Sequence, residues 1–166
     1  MNLRVAGIDI GNNGSLAFVE FQGPKILHVE VVRLSKYDLQ SIPDIHELYT
    51  RISSAHLDQI FIESCSPHPK NGSASWKTLG MWFGTLQALC VAACFTPHIV
   101  RSATWMKALD CLTHGDKSIS KARAEKIYGR YIKVVHGNAD ALLIAYYGNK
   151  KVREIRKANI VRSNPN

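Results

Sequence analysis

The first third of the chain alternates short apolar runs with turn residues, and this pattern predicts β-strands. Residues 3–10 read LRVAGIDI, a mostly apolar run typical of a buried strand, and the GNNG that follows predicts a turn. Residues 15–22 and 25–34 predict two further strands, separated by Gly23 and Pro24. Three consecutive strands joined by short turns indicate an antiparallel meander.

After the meander, predicted helices alternate with predicted strands. A helix over 42–54 has Ser41 near its start and Pro43 in its first turn, which are typical of a helix N-terminus. The further predicted elements are strands over 57–64 and 97–101, helices over 76–95, over 103–109 with Ser102 as its cap and over 117–131, and a last helix opened by residues 134–148. This order predicts an α/β fold with a mixed sheet flanked by helices.

Composition and charge add a domain count and a class of partner. A length of 166 residues predicts one domain, and 21 Lys+Arg against 13 Asp+Glu give a formal net charge of +8. That excess favours a polyanionic partner, nucleic acid first and an acidic membrane surface second. Basic residues dominate after position 148, so we expect a main domain over 1–148 and a basic C-terminal tail over 149–166. The tail either extends the last helix or forms a loose basic arm.

The N-terminus and the cysteines bear on the compartment. The N-terminus has neither the apolar core of a signal peptide nor an Arg- and Ser-rich transit segment, and no apolar run approaches the ~20 residues of a membrane span. We therefore expect a soluble intracellular protein in a bacterium or an infected host cell, with the nucleus and organelles left open. None of the four cysteines belongs to a CxxC pair. Cys90 and Cys94 stand one helical turn apart and are expected to be small buried residues in a reducing compartment.

Three acids stand at corresponding ends of predicted elements. Asp9 lies near the end of the first strand, Glu63 ends the strand IFIE, and Asp140 opens the last helix. A carboxylate at the end of an apolar run is costly unless a partner compensates its charge, and Mg²⁺ or Mn²⁺ would do so. Each acid also has a simpler explanation. The GNNG turn could donate hydrogen bonds to Asp9, a lysine could pair with Glu63, and the helix dipole could favour Asp140.

At these residues the sequence resembles the RuvC family of Holliday-junction resolvases, within the ribonuclease-H-like superfamily. The resemblance covers residues 3–147 and is carried by four segments in order, namely GIDIGNNGSLAFV, FIES, KNGSASWKTLG and GNADALLIA. It is nearest to the shorter viral and phage-type RuvC-like enzymes, because Trp105 to Leu109 resembles their WKKAL helix. The resemblance implies a ribonuclease-H-like fold with a five-stranded mixed sheet.

The resemblance implies that Asp9, Glu63 and Asp140 are metal ligands, with one departure. The family usually has a further acid three or four residues before the last aspartate, and those positions hold Gly137 and His136 here. Neutral imidazole can ligate a divalent ion, so His136 is the candidate fourth ligand. A spacing of four puts His136 and Asp140 on one side of a helical turn if the helix begins early enough. The alternative is that His136 caps or flanks the helix.

The implied chemistry is hydrolysis of a phosphodiester with two Mg²⁺ or Mn²⁺ ions in each site. Two ions ~3.5–4 Å apart can clamp an in-line displacement at phosphorus, one on the attacking water and one on the leaving 3′ oxygen. Asp9 would bridge both ions. The products would be paired symmetric nicks in a four-way junction, with 5′-phosphate and 3′-hydroxyl ends. Lys107 and Lys117 resemble family lysines that contact the scissile phosphate, and Lys117 also lies at a predicted helix start, where N–H groups can hold a phosphate.

The resemblance further implies a DNA-contacting loop and a dimer. The loop over 65–75 lacks Phe and Tyr, so His68 is its candidate stacking residue. The expected DNA-binding residues are His68, Lys70, Asn71, Ser75, Lys77, Lys117 and Lys121. The helix over 76–95 is apolar around most of its circumference, so we expect burial on two sides, one of them in a C₂ homodimer that presents two sites to the junction.

Other functions fit some of these features. A different ribonuclease-H-like nuclease could act on branched DNA or on RNA–DNA hybrids with the same metal chemistry. A catalytically weak junction-binding protein would fit the missing fourth acid. The DIGNNG segment is also similar to the phosphate loop of sugar-kinase and actin-like ATPases, but that fold normally needs two such domains and this chain is too short.

Overall fold

The computed structural model describes residues 2–11, 13–65, 72–113 and 115–163. Its strands are β1 (Asn2–Asp9), β2 (Ser15–Gln22), β3 (Lys25–Arg33), β4 (Gln59–Glu63) and β5 (His98–Val100). Its α-helices are α1 (Ile42–Ser54), α2 (Ser73–Ala92), α3 (Ser102–Ala108), α4 (Lys117–Tyr128) and α5 (His136–Ser163), and a single 3₁₀ turn over Leu34–Lys36 follows β3. The predicted order of strands and helices is confirmed.

The five strands form one mixed sheet in the order β3-β2-β1-β4-β5. The pairs β1–β2 and β2–β3 are antiparallel, which confirms the predicted meander. The pairs β1–β4 and β4–β5 are parallel, as helical crossovers require. β1 therefore lies in the centre of the sheet, consistent with its nearly continuous apolar sequence.

Alternate residues of β1 contribute to two separate cores. Leu3 and Val5 pack with buried residues of α3, α4 and α5, whereas Ala6 and Ile8 pack with buried residues of α1 and α2. Helices thus cover both faces of the sheet. Because side chains alternate along a strand, Asp9 points to the same face as Val5, the face that α5 covers.

α5 approaches β1 so closely that Gly7 has no room for a side chain. A Cβ at position 7 would overlap the carbonyl oxygen of Ala141 and the backbone nitrogen of Ala145. One turn further along α5, a Cβ at Gly148 would lie 2.5 Å from the Phe61 ring. Small residues spaced three and four apart on α5 therefore form the face that lies on the sheet.

The end of α2 differs from the prediction. The helix stops at Ala92, three residues before the predicted end, because Cys94 takes a left-handed backbone with φ of 63°. The N–H of Phe95 donates to the Cys90 carbonyl and the N–H of Cys94 to the Val91 carbonyl, which is a Schellman motif. Cys90 is buried as expected, but Cys94 is exposed, so its predicted burial was wrong.

In the single chain α2 is buried on one side, and burial of the second side in a homodimer stays a prediction. Only Trp82, Leu86 and Cys90 are buried, and their spacing of four places them on one face. Met81 is 39% exposed and Val91 is 64% exposed.

Two helix starts and the C-terminal segment agree only in part with the predictions. Ser41 caps α1 as expected, since its side chain accepts from the N–H of Asp44. Ser102 is not a cap, because the N-cap position of α3 belongs to Arg101. The boundary proposed after residue 148 falls inside α5, so the basic segment continues the helix as far as Ser163. Within the described ranges, no helix combines the length and the apolarity needed to span a bilayer.

The contact at Gly7 predicts a specific effect of adding one methyl group. Gly7→Ala should lower the free energy of unfolding by about 1–3 kcal/mol, because overpacking against backbone forces α5 away from the sheet. Gly80→Ala is the matched control, since a Cβ there meets nothing within 4 Å in the interior of α2. That control should gain about 0.5–1 kcal/mol from helix propensity. Urea unfolding of both variants measures the effects, and equal stability of Gly7→Ala and wild type would refute the close contact.

Candidate active site

The parallel pairing of β1 and β4 brings two acids to the same edge of the sheet. Ile8 pairs with Ile62 at the end of the register, and Asp9 and Glu63 are the next residues on the two strands. Both strands run in the same direction, so their last side chains project from neighbouring positions. The Glu63 carboxyl group lies within electrostatic and hydrogen-bonding range of the Asp9 carboxyl group.

The surroundings of Asp9 oppose its ionisation. Burial raises the pKa of Asp9 well above its usual value, and the charges of Glu63 and Asp140 raise it further. The positive charge of Lys117 acts in the opposite direction. Three carboxyl groups therefore lie close enough to repel one another, and a bound cation would relieve this repulsion.

Asp140 adds a buried acceptor that has no donor. The residue is 7% exposed, and its Oδ1 atom has no hydrogen-bond partner in the described part of the protein. The helix-dipole explanation does not fit, because the first turn of α5 contains no acid and Asp140 comes one turn later. A buried acceptor without a donor is uncommon and indicates a missing ligand or ion.

Glu63 is held by an indole rather than by a lysine. The Trp105 Nε1–H donates to Glu63 Oε1 at 3.1 Å, and the Trp105 side chain is fully buried beneath it. No ion pair involves Glu63 in the parts of the chain that are described. Trp105 has no predicted role beyond the WKKAL-like helix, because a contact over 42 positions leaves no local signal in the sequence.

His136 is the first residue of α5, so the helix begins early enough for His136 and Asp140 to lie one turn apart. The side chain of His136 is exposed. The buried Ser15 hydroxyl donates to the Gly137 carbonyl and thereby fixes the start of α5 against β2. Asn138 also fixes this turn, since its Oδ1 accepts from the N–H of Val135 at 2.8 Å.

A cavity of about 370 Å³ opens beside Asp9. Its lining includes Asp9, Arg33, Ser75, Lys117, His136 and Gly137. The structure thus brings together an acid, two cations and an imidazole from β1, β3, α4 and α5. Arg33 was not among the residues proposed from the sequence.

Most of the other residues proposed from the sequence do not line this cavity. Lys107, Lys77 and Lys121 are fully or partly exposed on α3, α2 and α4, and none of them lines this cavity. Ser75, in the first turn of α2, does line it. His68, Lys70 and Asn71 lie outside the described residues.

The start of α4 is occupied by a side chain of the protein itself. Lys117 begins the helix as predicted, but Asp116 Oδ1 accepts from the N–H of Ser118 at 2.9 Å. Hydrogen bonds from the Ser118 side chain and from the Ser118 N–H lower the pKa of Asp116, and the nearby His136 lowers it further. The Ser118 N–H is therefore not free for a phosphate, which removes part of the reason for predicting a phosphate at this helix start.

The residues present fit a divalent cation, although they do not yet enclose one. Across the described ranges, no three His, Cys, Asp or Glu side chains gather closely enough to hold an ion as they stand. The pair Asp9–Glu63 and the unpartnered Asp140 oxygen nevertheless provide oxygen ligands whose mutual repulsion a cation would relieve. Binding one ion with all three acids requires rotation of their side chains.

The fold is similar to that of two solved RuvC structures. The Thermus thermophilus RuvC structure matches 93% of this chain and 96% of its own, with a TM-score of 0.66 and 22% identity. T. thermophilus RuvC in complex with Holliday junction substrate matches 92% of this chain and 96% of its own, with a TM-score of 0.65 and 19% identity. No protein-family model and no curated protein sequence matches the chain. The ribonuclease-H-like fold expected from the motifs is thus confirmed.

The electrostatics of Asp9 predict how stability depends on pH and metal. A carboxyl whose pKa is raised on folding contributes its full stability below the unfolded value near 3.8, and this contribution is lost as pH rises through the folded pKa. Metal-free wild type should therefore lose stability relative to Asp9→Asn as pH rises above about 4. At neutral pH, Mn²⁺ at 100 times its dissociation constant should stabilise wild type by about 2.7 kcal/mol and Asp9→Asn by much less.

Thermal unfolding with EDTA or with Mn²⁺ at several pH values makes this measurement. Asp110→Asn is the control, because Asp110 is exposed, lies outside the cavity and has a φ of 54° that asparagine tolerates. It should respond to pH and Mn²⁺ as wild type does. Identical pH and metal responses of Asp9→Asn and wild type would show that Asp9 is not the strained carboxyl of a cation site.

Proposed function

We propose that the protein is a structure-specific, metal-dependent DNA endonuclease that resolves four-way junctions by paired symmetric nicks. The main support is that Asp9, Glu63 and Asp140 lie close together at one edge of a RuvC-like sheet, beside a cavity lined by cations. The Holliday junction bound to T. thermophilus RuvC supports branched DNA as the substrate class. The net charge of +8 supports a polyanionic substrate in general.

In this proposal Asp9, Glu63, Asp140 and His136 hold two Mg²⁺ or Mn²⁺ ions. When bound, the ions supply Lewis-acid activation of water and phosphate, giving 5′-phosphate and 3′-hydroxyl ends. The protein contributes the rest. Bound cations would favour the ionised form of Asp9, and the indole of Trp105 would keep Glu63 aimed at the site. Lys117, which already acts on Asp9 electrostatically, would hold a phosphate oxygen of the strand to be cut.

The DNA surface is proposed to surround this cavity. Ser75 lines this cavity. Lys77, Lys107 and Lys121 are fully or partly exposed on the helices α2, α3 and α4. DNA contacts of His68, Lys70 and Asn71, which lie outside the described residues, are also part of the proposal. Such contacts with the backbone of DNA position the substrate without reading its sequence.

A C₂ homodimer is part of the proposal, because resolution needs two cuts related by the two-fold symmetry of the junction. The support comes from α2, which buries one face and leaves Met81 and Val91 exposed. Apolar side chains on an otherwise unpartnered helix face favour contact with a second copy.

A second candidate is a junction-binding protein with weak catalysis. It is favoured by the absence, across the described ranges, of three ligands already gathered around one point, and by Gly137 at a position where the related enzymes have an acid. A different ribonuclease-H-like nuclease, acting on other branched DNA or on RNA–DNA hybrids, would share the site.

Cleavage of a labelled four-way junction tests these candidates. Wild type in Mg²⁺ or Mn²⁺ should nick the junction symmetrically and leave a linear duplex intact. Asp9→Asn should lose at least ~100-fold in rate, because even the outer partners of metal ligands are worth 10–100-fold. His136→Ala should lose rate while still binding the junction. Asp110→Asn should cleave as wild type does.

Each negative result would refute a different part of the proposal. Tight junction binding without nicking in either metal would favour the binding protein and refute the nuclease. Equal cleavage of flaps, hybrids and junctions would refute junction specificity and keep the nuclease. Full activity of Asp9→Asn would refute the site itself.

A further inference from the structure

Arg33 is a cation in the cavity that no part of the sequence motifs explains. It is the last residue of β3, where it pairs with Ser15 of β2 at the edge of the sheet that carries the acids. Its side chain lines the same cavity as Asp9 and Lys117. In the described structure its guanidinium donates no hydrogen bond and forms no ion pair.

The guanidinium of Arg33 lies against the backbone of Gly137. A Cβ at position 137 would be 2.9 Å from Arg33 Nη1, 3.0 Å from the backbone carbonyl oxygen of Asn13 and 3.2 Å from Arg33 Cζ. Any side chain at 137 would therefore displace the guanidinium from this place. Glycine near the start of a helix costs stability relative to alanine. The room that it leaves for Arg33 is a physical reason for its presence.

The free donors of Arg33 fit a phosphate better than they fit the nearby acids. A guanidinium carries five N–H donors in a planar fork that matches two oxygens of a phosphate. The cation that acts on Asp9 is Lys117, so Arg33 has no described carboxylate partner to give up when a ligand arrives. Arg33 is half-buried and none of its nitrogens is a buried atom without a partner, so an incoming phosphate would replace water rather than a protein acceptor.

We propose that Arg33 binds a non-bridging phosphate oxygen of the DNA strand at the cleavage site, and that Gly137 is glycine to leave room for it. This inference rests on the proposed function, because it needs a phosphodiester in the cavity. It adds a substrate-contacting residue from β3, whereas the motifs place all of theirs on β1, β4, the loop over 65–75 and the helices.

Three variants separate this role from a general effect of charge. Arg33→Gln removes the cation and the fork. Gly137→Ala keeps Arg33 but pushes its guanidinium out of place. Lys25→Gln is the matched control, because Lys25 is exposed at the opposite end of the same strand, roughly 26 Å away at 3.3 Å per residue. Thermal unfolding verifies that all three are folded.

Two quantities are measured on a four-way junction. Binding in EDTA at several salt concentrations gives the slope of log K against log[salt], which should fall by about 0.9 in Arg33→Gln because one phosphate contact is lost. Single-turnover nicking in Mn²⁺ should fall on the order of 100-fold in Arg33→Gln, as for the loss of one preorganised donor to a reacting centre. Gly137→Ala should also nick more slowly, and Lys25→Gln should nick as wild type does.

The outcomes distinguish this inference from the function on which it rests. If Arg33→Gln matches Lys25→Gln in both slope and nicking rate while wild type cleaves the junction, the role of Arg33 is wrong and the resolvase proposal stands. If wild type neither binds nor nicks the junction, both proposals fail. A loss of nicking in Arg33→Gln together with normal nicking in Gly137→Ala would overturn the spatial role given to Gly137.

Discussion

The contact between β1 and α5 at Gly7 sets the position of everything in the site. Because Gly7 has no Cβ, the backbone of α5 at Ala141 and Ala145 rests directly on the strand. Asp9 follows Gly7 by two residues on the same face of β1, and Asp140 immediately precedes Ala141. The distance between the two carboxyl groups is therefore a consequence of how closely a helix packs on a strand. The parallel register of β4 adds Glu63 beside them.

This arrangement concentrates negative charge where water is scarce, and the protein only partly compensates for it. Burial and two neighbouring carboxyl groups raise the pKa of Asp9, and one oxygen of Asp140 has no donor in the described structure. Trp105, Lys117 and Arg33 surround the acids without neutralising all of them. Such unsatisfied electrostatics in a cavity are typical of functional sites, because a cation and a phosphate together would complete them. The same imbalance would be hard to explain in a site that served only the stability of the fold.

The sequence predicts the parts of this structure that depend on local pattern. Apolar runs ending in an acid located Asp9 and Glu63 at strand ends, and the turn residues located the meander. Contacts between distant segments left no such signal, so the indole bond to Glu63 and the guanidinium beside Gly137 were found only in the structure. The end of α2 was misplaced because Cys94, rather than a glycine, takes the left-handed position. The length of α5 was left open because its second half is basic and has little apolar surface, although lysine, arginine, glutamate and alanine favour helix.

The central claim is that Asp9, Glu63 and Asp140 form one cation site. A crystal structure of the wild-type protein grown with Mn²⁺, with anomalous differences recorded at the manganese edge, tests it most directly. A site formed by these three acids predicts anomalous density between their carboxylates, with Asp140 turned toward it. No density there at saturating Mn²⁺, or manganese bound only by other residues, would contradict the account.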